Sequence, residues 1–403
     1  MKLRWPWQRN ARGNRQDRLV FCSTPEGLAW LRAEPAGGRL RLASHGELAR
    51  DGQTDAEWTR AVRQLGLPNG SPATAVLPLQ AYQLLQIEAP VVPADELRAA
   101  ARWRAKDMVN GHIDDVTLDV MRLGQPGSQV QGHEQMFVVA APNKEVAAAA
   151  ALATGAGWRL AVVDVADNAQ RNLQHAAATQ MDLADRATAC LAVHDHKTCL
   201  LTICAGGELY YSRRLEWDPA LLARAERAAA PAATAAPALP ATPDSTAHHY
   251  MLGDAQMVAA GSDIAADLPH DAPRSFSFDD PLLSADDGLA AFAPAATAAY
   301  TPASAAIEFA ADDTPRMVIE LQRSFDVWER SWPQLPLSLL MLQPPGEATH
   351  AASVVAASFL QEQLGLRVLP LDLSAGLDLG ERPAGTLPPL SLLGALLRDR
   401  PEA

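Results

Sequence analysis

Three β-patterned runs that double back on one another, with helices and further strands behind them, limit this chain to an α/β architecture with mixed sheets. One set is 19–23 (LVFCS), 28–34 (LAWLRAE) and 39–48 (RLRLASHGEL), joined by a Pro-Glu-Gly turn and a Gly37-Gly38 turn. Another is 188–195 (TACLAVHD), 197–205 (KTCLLTICA) and 208–217 (ELYYSRRLEW), with a polar turn at 194–197 and a hairpin turn at Gly206-Gly207. Between and after them lie helical patterns with explicit start and stop signals. Thr54 and Glu57 make a Thr-x-x-Glu capping box, opening a helix with Trp58, Ala61, Val62 and Leu65 on one face. Asn143 is placed to cap an alanine-rich helix that stops at Gly155 and Gly157. Thr314-Pro315 opens a helix that turns Met317, Leu321, Phe325, Trp328 and Trp332 inward, and a helix over 351–364 closes at Gly365. The proline-rich tail, with its short LLGALL helix, reads as peripheral.

The stretch 75–119 carries the most information per residue. It predicts an apolar strand, a second strand entered through Pro78, a proline-bounded turn, a helix and an acidic return strand. Pro93, Asp95 and Glu96 mark the helix start, where proline lacks nothing it needs and acids meet the positive end of the helix dipole. Leu97, Ala100, Ala101, Ala105 and Met108 predict an apolar stripe, with Arg98, Arg102 and Lys106 on the solvated side. Trp103 falls on the flank of that stripe and Arg104 inside it. An indole off the core face and a cation on it are expected of a groove shared with another molecule; the alternative is a Trp packed on a neighbouring element and a snorkelling Arg.

Charge places the acidity in one segment. The 403 residues carry a formal net charge of −13. Between Ala228 and Thr314, however, 12 acidic residues face one basic residue, Arg274, which leaves −2 for everything else. That segment holds 29 alanines and nine prolines in 87 residues, a composition that cannot bury enough apolar surface to offset chain entropy. A disordered insertion is expected there, with apolar islets such as HHYML that serve as spacers or short docking motifs. The first 17 residues form a basic tail with Trp5 and Trp7, expected to be disordered, with a membrane-surface contact as the alternative. The nearly neutral remainder excludes a nucleic-acid surface. Four unpaired-looking cysteines and no window of about 20 apolar residues predict a cytoplasmic, non-spanning chain.

Enzyme chemistry is sparse. Cys190, His194, His196, Cys199 and Cys204 invite a zinc site, yet structural zinc uses cysteine pairs two to four residues apart on turns, so buried thiols beside an exposed His-Asp-His turn is the better reading. No GxxxxGK[ST], GxGxxG or GxSxG motif is present. The acidic run Asp114, Asp115 and Asp119 lacks metal-ligand spacing and reads as a solvated edge.

The ordered set of elements resembles a known family. The runs 88–120 and 135–165, the strand pair AGGELYYSRRL at 205–215 and VIELQRSFDVWERSWPQLPLSLLML at 318–342 together resemble the PilM-like actin-fold pilus-assembly proteins, nearest to the members that serve mannose-sensitive haemagglutinin (MSHA) pili. The resemblance implies a two-lobed actin-like (ribonuclease H-like) α/β fold with a small extra subdomain in the first lobe, at about 76–140. It places the first lobe at 18–157, the second at 158–227 and 315–375, the insertion at 228–314 and a tail at 376–403. It also implies a cytoplasmic protein peripheral to the inner membrane that clasps the tail of a single-pass membrane partner, through a groove that would use Leu97, Trp103, Arg104, Met108 and Ile113. Family members hold ATP and Mg²⁺ between glycine- and aspartate-rich turns. The corresponding positions here are Thr24, Asp195, Thr198 and Gly346, set among Pro25, Pro344 and Pro345, and a phosphate nest needs free N–H groups that proline removes. The expectation is a scaffold without catalysis; an ATPase or nucleotide switch is the alternative.

Overall fold

The computed structural model describes residues 17–124, 127–130, 132–195, 197–230, 315–346, 348–380 and 388–398. All of them belong to one compact unit. The expected basic tail (apart from its last residue), the acidic insertion from 231 onward and His196 lie outside the described residues.

The chain opens with an antiparallel meander of β1 (Arg18–Thr24), β2 (Gly27–Ala36) and β3 (Arg39–Ala49). Helix α1 (Asp55–Arg63) follows, its start fixed by the reciprocal Thr54 and Glu57 bonds of a capping box. Strand β4 (Pro72–Leu77) then enters parallel to β1. Here a small domain is inserted: β5 (Gln83–Glu88), α2 (Leu97–Ala105), β6 (Val116–Arg122), β7 (Gln129–Val130) and β8 (His133–Pro142). Its sheet runs β5-β8-β6, with β7 also paired to β8. Helix α3 (Asn143–Ala156) leads back to β9 (Arg159–Val165), parallel to β4. Trp58, Val62, Leu152 and Trp158 fill the layer under α1 and α3.

Helix α4 (Ala166–Gln180) carries the chain to a second sheet. A meander of β10 (Ala187–Val193), β11 (Thr198–Ala205) and β12 (Glu208–Glu216) is followed by α5 (Pro219–Ala229), α6 (Arg316–Ser331), β13 (Leu337–Gln343), α7 (His350–Leu364) and β14 (Val368–Pro370). The strand order is β12-β11-β10-β13-β14, with β13 parallel to β10 and β14 parallel to β13. The first sheet reads β3-β2-β1-β4-β9 in the same sense. A meander plus two parallel crossovers has therefore been built twice, which is the actin-like, ribonuclease H-like architecture.

The ending of the chain corrects the expectation of a peripheral tail. Strand β15 (Leu377–Asp378) extends the first sheet beside β3, and α8 (Leu390–Leu396) is buried along its length, with Leu392, Leu393 and Leu396 at 0% exposure. Helix α8 lies on α4 so closely that a Cβ on Gly394 would sit 1.8 Å from the Ala169 carbonyl oxygen. The contact is bolted by Asn172, whose amide donates to Gly394 O at 3.2 Å, and by an Arg398–Asp164 ion pair at 2.7 Å.

Smaller corrections have local causes. Because β9 pairs with β4, the first lobe runs through residue 165 rather than 157. Pro142, not Asn143, is the N-cap of α3; the Asn143 amide instead donates to Asp114 O and accepts from Thr117, which ties the inserted domain to α3. Pro315 likewise caps α6 rather than opening it. No helix among the described residues is long and apolar enough to cross a membrane.

Candidate functional site

Two places on this frame are candidates: the cleft between the sheets, and the inserted domain. The cleft lies at the carboxyl ends of β1, β4 and β10, where open α/β sheets place their ligands. It has a volume of about 610 Å³ and is walled by Thr24, Glu26, Leu77, Gln80 and Asp195, among others. Thr24 and Asp195 are thus brought together as the sequence predicts. Thr198 and Gly346 do not line it.

The two turns that would cradle phosphates are satisfied from within. In the β1–β2 turn Pro25 has no N–H, and Glu26 N–H donates to Thr24 Oγ1 at 3.3 Å. In the β10–β11 turn the N–H groups of His194 and Asp195 donate to Thr198 O, at 3.0 and 3.4 Å. Those of Lys197 and Thr198 donate to Asp195 Oδ1, at 2.9 and 2.6 Å. Thr198 therefore closes the turn rather than facing the cleft. The second oxygen of Asp195 accepts from Gln80 Nε2 at 2.9 Å, a bond that spans from β4's exit to the second sheet. Burial raises the Asp195 carboxyl, but the Lys197 and Thr198 donors and then Gln80 outweigh it and hold the group below the ordinary carboxylate range. Glu26 and Glu47 join Asp195 on the wall, and among the described residues no Lys or Arg lines it, so the charge of these side chains opposes a phosphate chain.

His194 is half-buried, which corrects the expectation of an exposed His-Asp-His turn. Its ring Nε2 sits 2.9 Å from Gln170 Oε1. Gln170, fully buried on α4, spends its amide nitrogen on Cys190 O, Leu200 O and Thr202 Oγ1, so the imidazole is the donor, an assignment fixed by the network. Four residues on, Gln174 bonds Thr188 and accepts from Thr202 Oγ1 at 2.7 Å. This amide pair seats α4 on β10 and β11. Burial pushes the His194 pKa down to about 4. Below the ordinary His value the unfolded chain takes a proton that the folded chain refuses. Stability is expected to be full above about pH 6.5 and to fall by about 2 kcal/mol as the pH drops toward 4. His194→Gln should flatten that limb of a denaturation-versus-pH curve.

The cysteines Cys190, Cys199 and Cys204 are buried in β10 and β11, and burial pushes their thiols up, the latter two to about 12. They stay protonated at neutral pH, whereas zinc takes thiolate.

In the inserted domain α2 buries Ala101 and Ala105 against Val116, Leu118 and Val138. The predicted stripe is narrower than expected: Leu97 is only partly buried, and Met108 lies beyond the helix end with 45% exposure. Arg102 is not on a solvated side. It donates to Val116 O at 3.1 Å and to Ile113 O, at the mouth of β6. Arg104 lies on the flank, not inside the stripe, and reaches Glu88 O at 3.4 Å. Trp103, two residues from both buried alanines, points away from the sheet and is 76% exposed, with Lys106 Nζ 5.8 Å from its ring centroid. Among the described residues its ring contact is with Lys106 of the same segment, so it is not the core-margin Trp of the alternative. Val91, Val92, Trp103 and Met108 are four of the six large apolar side chains exposed among the described residues. A groove of about 570 Å³ runs between α2 and β6, walled by Ala94, Arg98, Ala99 and Arg102. Leu97 faces a separate hollow of about 170 Å³; Trp103, Arg104, Met108 and Ile113 line neither.

Sequence reasoning missed Gln80, Tyr82, Asp167, Gln170 and Gln174. The signal of the last three is legible on a helical wheel: Asp167, Gln170, Gln174 and Ala177 share one stripe of α4, where polar residues on a buried face must have partners.

No family model and no curated protein matches this chain. Among solved structures, a chain of the PilM-PilN type IV pilus biogenesis complex aligns over 95% of this chain and 98% of its own length, with 17% identity and a TM-score of 0.55. The cytoplasmic domain of EpsL, an inner membrane component of the type II secretion system of Vibrio cholerae, aligns over 53% and 75%, with 11% identity and a TM-score of 0.35. A Bacteroides thetaiotaomicron protein with an actin-like ATPase fold and unknown function aligns over 53% and 74%, with 8% identity and a TM-score of 0.33. At such identities the first likeness speaks for the fold, and the chain is an actin-fold protein with an inserted first-lobe domain.

Proposed function

We propose that this chain is a scaffold of an inner-membrane assembly platform for type IV-like pili, which captures the cytoplasmic tail of a single-pass membrane partner and does not hydrolyse nucleotide. The observation that carries the reading is end-to-end likeness to a chain from a PilM-PilN pilus biogenesis complex. The finer assignment, to MSHA pili and the role of MshI, rests on the order of sequence motifs. The closed turns of the cleft support the absence of catalysis and of bound ATP. The second reading, a nucleotide switch, draws on the cleft's size and position at the strand ends.

The partner surface in this reading is the inserted domain, where exposed apolar side chains concentrate. Pull-down with the N-terminal cytoplasmic peptide of the PilN-type partner tests it. Trp103→Ala is expected to weaken capture at least tenfold, in the range of an interface aromatic anchor, while moving the unfolding midpoint by less than about 1 °C because the ring is exposed. Unchanged capture by the variant would remove Trp103 from the interface; no capture by the parent protein would overturn the scaffold reading.

A further inference from the structure

We infer that the inserted domain is a splint across the joint between the two lobes, which fixes the width of the cleft and leaves the lobes no hinge to turn on. The alternation of β8, the middle strand of the inserted sheet, gives the first observation. Met136, Val138 and Ala140 point to one face and share a buried cluster with Ala101 and Ala105 of α2. Phe137, Val139 and Ala141 point to the other face, which α2 does not reach. Phe137 and Ala141 are nevertheless each only 3% exposed.

That reverse face is covered by both lobes at once. Phe137, joined by Leu123 just past β6, lies in one buried cluster with Leu209 and Tyr210 of β12 and Trp328 of α6, all in the second lobe. Val139 and Ala141 pack in another, which unites Leu77 of β4 and Val165 of β9 from the first lobe with Leu200 of β11 from the second. Polar contacts close the same seam. Gly124 N–H donates to Leu209 O at 2.9 Å, and a Cβ on Gly124 would sit 2.4 Å from the Tyr210 ring, so only a bare backbone fits there. At the domain's root Tyr82 donates to Asp167, Arg214 donates to Tyr82 O, and Gln80 crosses the cleft to Asp195.

Domains that hinge meet across small, polar surfaces and turn on a few linking residues. This joint is the opposite case. Phe137 and Ala141 are four residues apart on one strand, about 13 Å, and a packed sheet does not stretch. Turning one lobe against the other would pull one of them out of its cluster and expose apolar surface, with no polar layer to slide on. A ligand entering the cleft would meet a preformed shape and would not draw the lobes together. The inference stands apart from the scaffold reading, since a rigid chain could bind a partner or a nucleotide without moving.

The experiment uses the full chain with spin labels on Ala56→Cys in α1 and Glu362→Cys in α7, exposed helix positions on opposite lobes, and reads the distribution of distances between them. Burial pushes all four native thiols up and keeps them from competing for the label. The expected result is a single narrow distribution that millimolar MgATP leaves unchanged. Adding Gly124→Ala, which forces Tyr210 away, should broaden it by at least about twofold while circular dichroism still reports a folded chain. Amide exchange in the parent protein gives a second reading that needs no variant. Gly124 should exchange as slowly as Leu201 of β11, a strand paired on both sides, because a splint opens only when the whole chain does. A broad or two-peaked distribution in the parent would overturn the inference, as would a folded Gly124→Ala protein with the parent's narrow one. If Gly124→Ala does not fold, exchange decides: equal rates support the splint, and a Gly124 amide at least about 100-fold faster than Leu201 overturns it.

Discussion

Gly394→Ala is expected to lower the unfolding midpoint by roughly 6 °C, the mark of a destabilisation of about 3 kcal/mol in a chain of this size. The change adds one methyl and in a free helix would be favourable. Here the new carbon would sit 1.8 Å from the Ala169 carbonyl oxygen and 2.4 Å from its carbon. Both obstacles are backbone, so no side chain can rotate away. Helix α8 must lift, and it carries Leu392, Leu393 and Leu396 out of a core shared with Val20, Leu173 and Met341. Lifting also strains the Asn172 bond and draws Arg398 from Asp164, which is 2% exposed and poorly able to stand alone. Thermal unfolding at fixed pH reads the effect, and a stable Gly394→Ala protein would mean that α8 does not rest on α4 as described.

Asp167→Ala is expected to cost about 2–4 kcal/mol, because it leaves the buried Tyr82 hydroxyl without an acceptor, at about 1–3 kcal/mol, and removes a second bond from the half-buried Ser212, at about 1 kcal/mol. Asp167 stands in the first turn of α4 at 1% exposure. One oxygen accepts from Tyr82 Oη and the other from Ser212 Oγ. Tyr82 begins the passage into the inserted domain, and Ser212 lies on β12, so one carboxylate holds the insertion's root and the second sheet together. Arg214 adds to the latch, stacking 4.9 Å over the Tyr82 ring and donating to Tyr82 O at 3.0 Å. Burial, then the Asp167 charge and its bond, push the Tyr82 hydroxyl well above its ordinary range, so it stays a donor at every physiological pH. Asp167→Asn keeps one acceptor and should cost about half as much by denaturant titration. A full loss for Asp167→Ala with none for Asp167→Asn would assign the effect to cavity formation rather than to hydrogen bonding.

Much of this frame was legible in the sequence because periodicity writes it. The capping box at Thr54, the glycine turns and the apolar stripe of α6 each follow from local rules and are found in place. The sequence fails where long-range contact decides. Nothing local distinguishes the LLGALL run from a peripheral helix; its burial depends on a glycine meeting α4, more than 220 residues away in the chain. Arg102 reads as solvated because the carbonyls it reaches, on Ile113 and Val116, are brought under it only when β6 returns. At the candidate sites the sequence flagged Trp103 by its misplacement and the phosphate turns by their prolines. It did not reveal that Asp195 and Thr198 consume the donors of their own turn, since that depends on the turn's conformation. The seat of the inserted sheet on the second lobe was equally hidden, because it joins strands far apart in the chain.

The scaffold reading is tested most directly by calorimetric titration of the partner's cytoplasmic tail peptide into the full chain, with and without 1 mM MgATP (about a millimolar, near a weak site's Kd). Saturable binding with the same affinity in both conditions, and no heat from MgATP alone, is the expected result. Binding of the peptide only in the presence of MgATP would contradict it and make the cleft a working nucleotide switch.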